Sequence, residues 1–225
     1  MKSIAENYLK IRREIPEHAC LVCVTKTRTA GELLSVIEAG ATDIGENYVE
    51  EAYEKYKALG DAAKKVRWHL IGHLQSNKAK KAVSFFDVIQ TVDSLKIARA
   101  IDKNIERADI ENKKIQVYIQ VNIGCESQKY GIHPDDVKEF TGELAHLKNL
   151  SVAGLMAIEP YDKEPENSRA YFKKMKKLFD EISLLKLPSV NMKVLSMGMS
   201  STYNIAAEEG SNMVRVGTGI FGGRR

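Results

Sequence analysis

The chain has 225 residues, 44% of them hydrophobic and 28% charged, the composition of an ordinary globular protein with room for one large domain or two small ones. A formal charge of +4 is too small to argue for a nucleic-acid partner, and the basic runs KAKK (78–81) and KKMKK (173–177) lie among apolar residues at helical spacing, where they read as solvated faces. No stretch approaches the roughly 20 apolar residues of a membrane span, and the start, MKSIAENYLKIRREI, lacks the apolar core of a secretory leader.

That start places Ile4, Tyr8, Ile11 and Ile15 on one face and reads as a first helix. Strand and helix patterns then alternate. The strand ACLVCVTK (19–26) precedes a helix over 30–40, and TDIGEN (42–47) a helix over 48–60. RWHLIG (67–72) leads to a helix from residue 76, and FDVIQTVD (86–93) to one over 94–108. KIQVYIQVNI (114–123) is followed by a helix over 134–148. LSVAGLMAI (150–158) runs through a polar loop at 159–168 into a helix over 169–185. NMKVLSMG (191–198), a helix over 201–210 and the strand NMVRVG (212–217) complete the pattern. Eight strands, each preceded by a helix, predict a parallel sheet, and eight such units in this length predict an α/β fold of the (β/α)8 TIM-barrel type, with an open doubly wound sheet as the alternative. No break in composition divides residues 1–225, so one domain is expected.

Cys20, Cys23 and Cys125 are odd in number. The C-x-x-C spacing lies inside a strand, where positions three apart face opposite ways, so the thiols share neither a metal nor a redox turn. All three are expected to be buried thiols, which fits a reducing cytoplasm. His69 and His73, four apart in WHLIGHLQ, lack the glutamate of a zinc helix and sit on a strand pattern, so no metal is expected.

The chemistry gathers at strand ends, where a barrel keeps its site. Period-two alternation puts Cys20, Val22, Val24 and Lys26 on one face, so an amine stands at the end of the first strand; a lysine merely leaving the core is the plainer reading. GTGIFGG (217–223) contains G-x-G-x-x-G without the βαβ context of a dinucleotide site. Gly217, Thr218 and Gly219 instead offer backbone N–H groups after strand 8, where barrels often bind phosphate. SMGMSST brings Met199, Ser200 and Ser201 to an expected helix start, which is an anion site or a plain N-cap. Arg215 shares the face of Gly217 and requires a partner inside a barrel, a salt bridge being one possibility. A Schiff-base amine, a phosphate cradle and a cation for a ring nitrogen together describe a pyridoxal phosphate site.

The stretches VTKT, GENYV, WHLIGHLQSNK, VDS, VNIGCESQKYG, GLMAI, SMGMS and GSNMVRVGTGIFG, from about residue 20 to 222, resemble the pyridoxal phosphate homeostasis proteins. The resemblance implies a single-domain barrel similar to the N-terminal domain of bacterial alanine racemase. It implies the cofactor on Lys26 as a Schiff base, Asn47 beside the ring, Arg215 at the ring nitrogen, and Ser200, Gly217 and Thr218 on the phosphate, with Met199 beside them. It further implies a protein that binds and supplies pyridoxal phosphate; beside this a monomer in the cytoplasm is expected, with apo forms of pyridoxal phosphate enzymes as candidate recipients. Thr202 and Asn204 depart from the family, which commonly has acids there. Gln75, Asn77 and Lys78 are expected to line the mouth.

Two further readings compete with the carrier. A racemase needs a base on each face of the substrate carbon; in the similar enzyme the second is a tyrosine from another domain, for which the barrel leaves no chain here, although Tyr203 is a candidate substitute. A Schiff-base aldolase acting on a sugar phosphate would also use a lysine and a phosphate site, but accounts poorly for Arg215.

Overall fold

Residues 3–108 and 114–223 are described by the computed structural model. Its eight strands are parallel and follow chain order round a closed barrel. They are β1 (Cys20–Val24), β2 (Asp43–Glu46), β3 (Arg67–Leu70), β4 (Val88–Val92), β5 (Ile115–Val121), β6 (Leu150–Ala157), β7 (Val190–Ser196) and β8 (Met213–Val216). Pairing of Cys20 with Met213 and Val22 with Arg215 joins β8 to β1, which rules out the open sheet. The α-helices are α1 (Ile4–Glu14), α2 (Ala30–Glu38), α3 (Val49–Leu59), α4 (Ala79–Phe85), α5 (Leu95–Arg107), α6 (Val137–Leu144), α7 (Arg169–Ser183), α8 (Tyr203–Glu208) and α9 (Thr218–Phe221). The start of the first expected helix, at residues 1 and 2, lies outside the described residues.

Alternation along the strands sorts two cores. Leu21, Cys23, Ile44, Leu70, Ile89, Val117 and Ile119 pack outward against the helices. Val22, Val88, Tyr118, Met156 and Met213 fill the inside, with Cys20 against them. Cys20 and Cys23 thus lie in different cores, as expected, and both are free thiols; of the three only Cys23 is fully buried, and Cys125, in the loop after β5, is exposed, contrary to expectation. Capping boxes at Ser3–Glu6 and Thr29–Glu32 start α1 and α2, each satisfying backbone donors that a helix start leaves open. Among the described residues no helix is long and apolar enough to cross a membrane.

Boundaries differ from expectation where the site lies. β1 stops at Val24, so Lys26 sits two residues beyond it in a turn. β7 stops at Ser196 and α8 begins at Tyr203, not at Ser201. The cause is local: the Thr202 hydroxyl accepts the Met199 N–H at 2.9 Å, and the Thr202 and Tyr203 N–H groups both return to Met199 O. Those bonds close a turn over 199–202 ahead of the helix.

Candidate functional site

The Lys26 turn is held from two sides. Thr25 is buried, its N–H donating to Gly45 O at 2.9 Å and its hydroxyl to Glu46 Oε1 at 2.6 Å. Thr27 has φ +63° and gives its N–H to Glu51 Oε1 at 2.5 Å. Lys55 donates to Thr25 O, Glu46 and Glu51. On the other side Arg28 donates to Gly222 O at 2.6 Å and Gly223 O at 3.1 Å, tying the turn to the end of the described chain. Lys26 itself is partly exposed.

The strand-8 end meets the strand-7 end through Ser200. Its Oγ accepts from the N–H groups of Gly217 and Gly219, each at 3.3 Å. A Cβ on Gly217 would lie 3.3 Å from Val24 Cβ and Val24 O, so a bare backbone there lets β8 close against the end of β1. The glycine-rich segment is no loose tail: it opens the one-turn α9, whose Ile220 O accepts Asn7 Nδ2 at 3.0 Å. Ser200 precedes α8 by three residues. Its hydroxyl therefore meets two backbone N–H groups across the strand ends and does not sit at the helix start.

Arg215 points into the barrel and is 4% exposed. Its partners are the Ser196 hydroxyl and Ala157 O, both at 2.7 Å, not the carboxylate of a salt bridge. Burial brings its guanidinium down to about 10, partly offset by the charge of Glu159. Two of its five N–H donors are accounted for by these bonds. From Ser196 a single file of polar side chains crosses the interior. Ser196 Oγ donates to Gln90 Oε1 at 2.8 Å, and Gln90 Nε2 faces His69 Nδ1 at 2.9 Å. His69 Nε2 faces Asp43 Oδ1 at 2.8 Å. With the Gln90 amide donating to Nδ1, the ring proton sits on Nε2 and is given to Asp43. Asp43 also accepts from Arg67 at 2.7 Å and Thr42 at 2.6 Å. Burial raises the Asp43 carboxyl, but these partners, His69 first, outweigh it and take it down to about 2.

Asn47 follows β2, and its Oδ1 is buried without a protein partner. Gly72 fixes the approach: a Cβ there would lie 2.2 Å from Asn47 O. A cavity of about 310 Å³ opens here, lined by Asn47, Tyr48, Val49, Glu50, His73, Gln75 and Lys78. Of the turn at 75–78, Gln75 and Lys78 line this cavity, and Asn77 is exposed.

Two positions singled out in the sequence are engaged by neighbours. Tyr203 gives its hydroxyl to Glu14 on α1, and burial, with that carboxylate, pushes it up to about 12. Thr202, where an acid is usual, donates to Glu159 Oε1 at 2.6 Å, a bond that a second carboxylate could not give. Among the described residues no group of three metal-ligating side chains forms. Instead His69 serves the interior chain and His73 stacks on Tyr130 at 4.0 Å. Sequence reasoning missed Glu46, Glu51, Lys55, His69, Gln90 and Ser196. For the last three a signal existed: polar residues at inward positions of otherwise apolar strands.

The comparisons agree with the fold. The family described as "Alanine racemase, N-terminal domain" matches residues 1–225. The pyridoxal phosphate homeostasis protein of Haemophilus influenzae is 40% identical over 205 residues, which is 91% of this chain and 84% of that one. PipY of Synechococcus elongatus PCC7942, solved without PLP, is 34% identical and superposes with a TM-score of 0.90 over 98% of this chain and 100% of that one. PipY with PLP bound superposes with a TM-score of 0.87 at 32% identity and the same coverage. An alanine racemase of Clostridium difficile 630 shares the fold at 15% identity, with a TM-score of 0.79 over 99% of this chain and 56% of that one.

Proposed function

Because the chain belongs to the family of alanine racemase N-terminal domains and, within it, to the pyridoxal phosphate homeostasis proteins, we propose that it binds pyridoxal 5'-phosphate covalently through Lys26 and maintains its supply without substantial catalysis. The observation that carries this reading is the meeting of three features on adjoining strands: the Lys26 turn after β1, the Ser200–Gly217–Gly219 donor cluster after β7 and β8, and buried Arg215 on β8. The residues fit the ligand. The Ser200 hydroxyl gathers the Gly217 and Gly219 N–H groups after β7 and β8, and among the described residues Arg215 has no hydrogen-bonded carboxylate and the buried Asn47 Oδ1 has no partner.

When bound, pyridoxal phosphate supplies an aldehyde that condenses with an amine and a ring that draws electrons from the bond formed. Lys26 provides that amine. Ser200, Thr218 and the backbone of Gly217 hold the phosphate, with Met199 beside them. Arg215 directs a cation at the ring nitrogen and so keeps a proton off it. Asn47 lies beside the ring. Residues 1–225 act as one domain and as a monomer in the cytoplasm, where three free thiols are at home. The recipients are apo forms of pyridoxal phosphate enzymes.

Borohydride reduction of the loaded protein, followed by peptide mapping, tests the assignment. The label belongs on the peptide containing Lys26, and Lys26→Ala should lose it while keeping its melting temperature. Label on Lys78 or Lys129 instead would refute the Schiff base at Lys26.

A further inference from the structure

Behind the Lys26 turn lies an ion cluster that the binding just described does not use. Lys55 on α3 is 8% exposed, and its ammonium meets Thr25 O at 2.6 Å, Glu46 Oε1 at 2.7 Å and Glu51 Oε1 at 2.6 Å. Three acceptors match the three donors of an ammonium. Glu46, at the end of β2, is fully buried, and burial raises its carboxyl against the pull of Lys55 and Thr25. Two of these groups also grip the turn: Glu46 accepts the Thr25 hydroxyl, and Glu51 accepts the Thr27 N–H. The residues on both sides of Lys26 are therefore bound to one cluster.

The turn needs holding. Thr27 has φ +63°, a left-handed conformation that crowds a β-branched side chain. Such strain persists only where the surroundings over-determine it. A buried ion pair is itself weak evidence for stability, since apolar residues of the same volume often do as well. What apolar residues cannot do is accept the Thr27 N–H and donate to Thr25 O.

We propose that Glu46, Lys55 and Glu51 are positioning residues that lock the Thr25–Thr27 turn in its left-handed form and so fix where the Lys26 amine emerges at the barrel end. The inference rests on the reading that Lys26 bonds the cofactor. Their action is through Thr25 and Thr27, on either side of Lys26.

The test uses the full chain. Glu51→Ala removes the acceptor from Thr27, and its side chain is 28% exposed, so the fold survives. Covalent capture of pyridoxal phosphate, followed as borohydride-fixed label on Lys26 against time, should slow roughly tenfold or more, the effect of one lost charge-assisted hydrogen bond. Affinity for pyridoxine 5'-phosphate, which has the phosphate and ring but no aldehyde, should not change. Adding Thr27→Gly removes the penalty of positive φ and should restore most of the capture rate. Capture by Glu51→Ala at the wild-type rate, or a slowing that Thr27→Gly leaves untouched, would overturn the proposal. A wild-type protein that captures no cofactor would overturn the functional reading together with it, and that control separates the two failures.

Discussion

Thr218 and Asp43 sit at opposite ends of the barrel and answer different questions. Thr218 follows Gly217 in the donor cluster, so pyridoxal lacking its phosphate should bind far more weakly than pyridoxal phosphate. Each charge-assisted hydrogen bond is worth about 1.5 to 3 kcal/mol, and several go at once. Thr218→Val removes one hydroxyl and leaves the backbone donors, so its loss should be smaller and in the same direction; equal affinity for the two vitamers in a titration would reject the cluster as the phosphate site. Asp43 concerns stability. Its carboxyl lies at about 2 in the folded chain, against about 3.9 unfolded. A depressed acid stabilises above its unfolded value, and the benefit fades as pH falls from about 4 towards 2. The difference is on the order of 2 kcal/mol. Asp43→Asn should be less stable at pH 7 and should lose less stability on acidification than the wild type, as denaturant melts from pH 7 to pH 2 would register. Parallel acid limbs for the two proteins would contradict it.

Strand alternation was readable element by element, because inward and outward positions differ in what they bury: Cys20 and Val22 inside, Leu21 and Cys23 outside. Element ends were less readable. Past Val24, the last residue of β1, the Thr25 carbonyl and the Thr27 N–H are claimed by Lys55 and Glu51 on α3, twenty or more residues away. Lys55, in YVEEAYEKYKALG, has the spacing of a solvated helix lysine, and only the meeting of Glu46, Glu51 and Thr25 O buries it. Likewise, α8 starts late because Thr202 is engaged by Met199 and by Glu159 beyond β6. The inward place of Arg215 was legible because strand parity gives it; Lys26 lies in a turn beyond β1, where parity does not reach, and the groups that hold that turn come from distant elements. One such junction is testable. Gly72, two residues beyond β3, lies against Asn47, and an added Cβ would lie 2.2 Å from Asn47 O. Gly72→Ala must push the β2 and β3 ends apart, costing about 1 to 3 kcal/mol and displacing Asn47. The melting temperature and the affinity for pyridoxal phosphate should fall together; a variant unchanged in both would remove Asn47 from the site.

At the scale of the whole barrel, charge is arranged around Arg215 in a way that bears on carrier against enzyme. Its donors lead through Ser196, Gln90 and His69 to Asp43, with every hydrogen bond pointing the same way, and Arg67 closes the far end. That file holds the guanidinium in place and charged at neutral pH, since its value stays near 10. A cation at the ring nitrogen makes a weaker electron sink than an acid would. Racemases of similar fold work with a weak sink, so the heavier consideration is the second base. Tyr203 is bound to Glu14 and raised to about 12, and Tyr130 stacks on His73. A positioned acid or base contributes about 10²- to 10⁴-fold, and without one only slow exchange should remain. We therefore expect the loaded protein, incubated with L-alanine in deuterated water, to show slow α-proton exchange and no steady change of chirality. The amino acid should take the place of Lys26 and carry the cofactor away unracemised, seen as loss of borohydride-fixable label. Racemisation at ordinary enzyme rates, about 1 to 10³ per second, would overturn the carrier reading and make Arg215 part of an active racemase site.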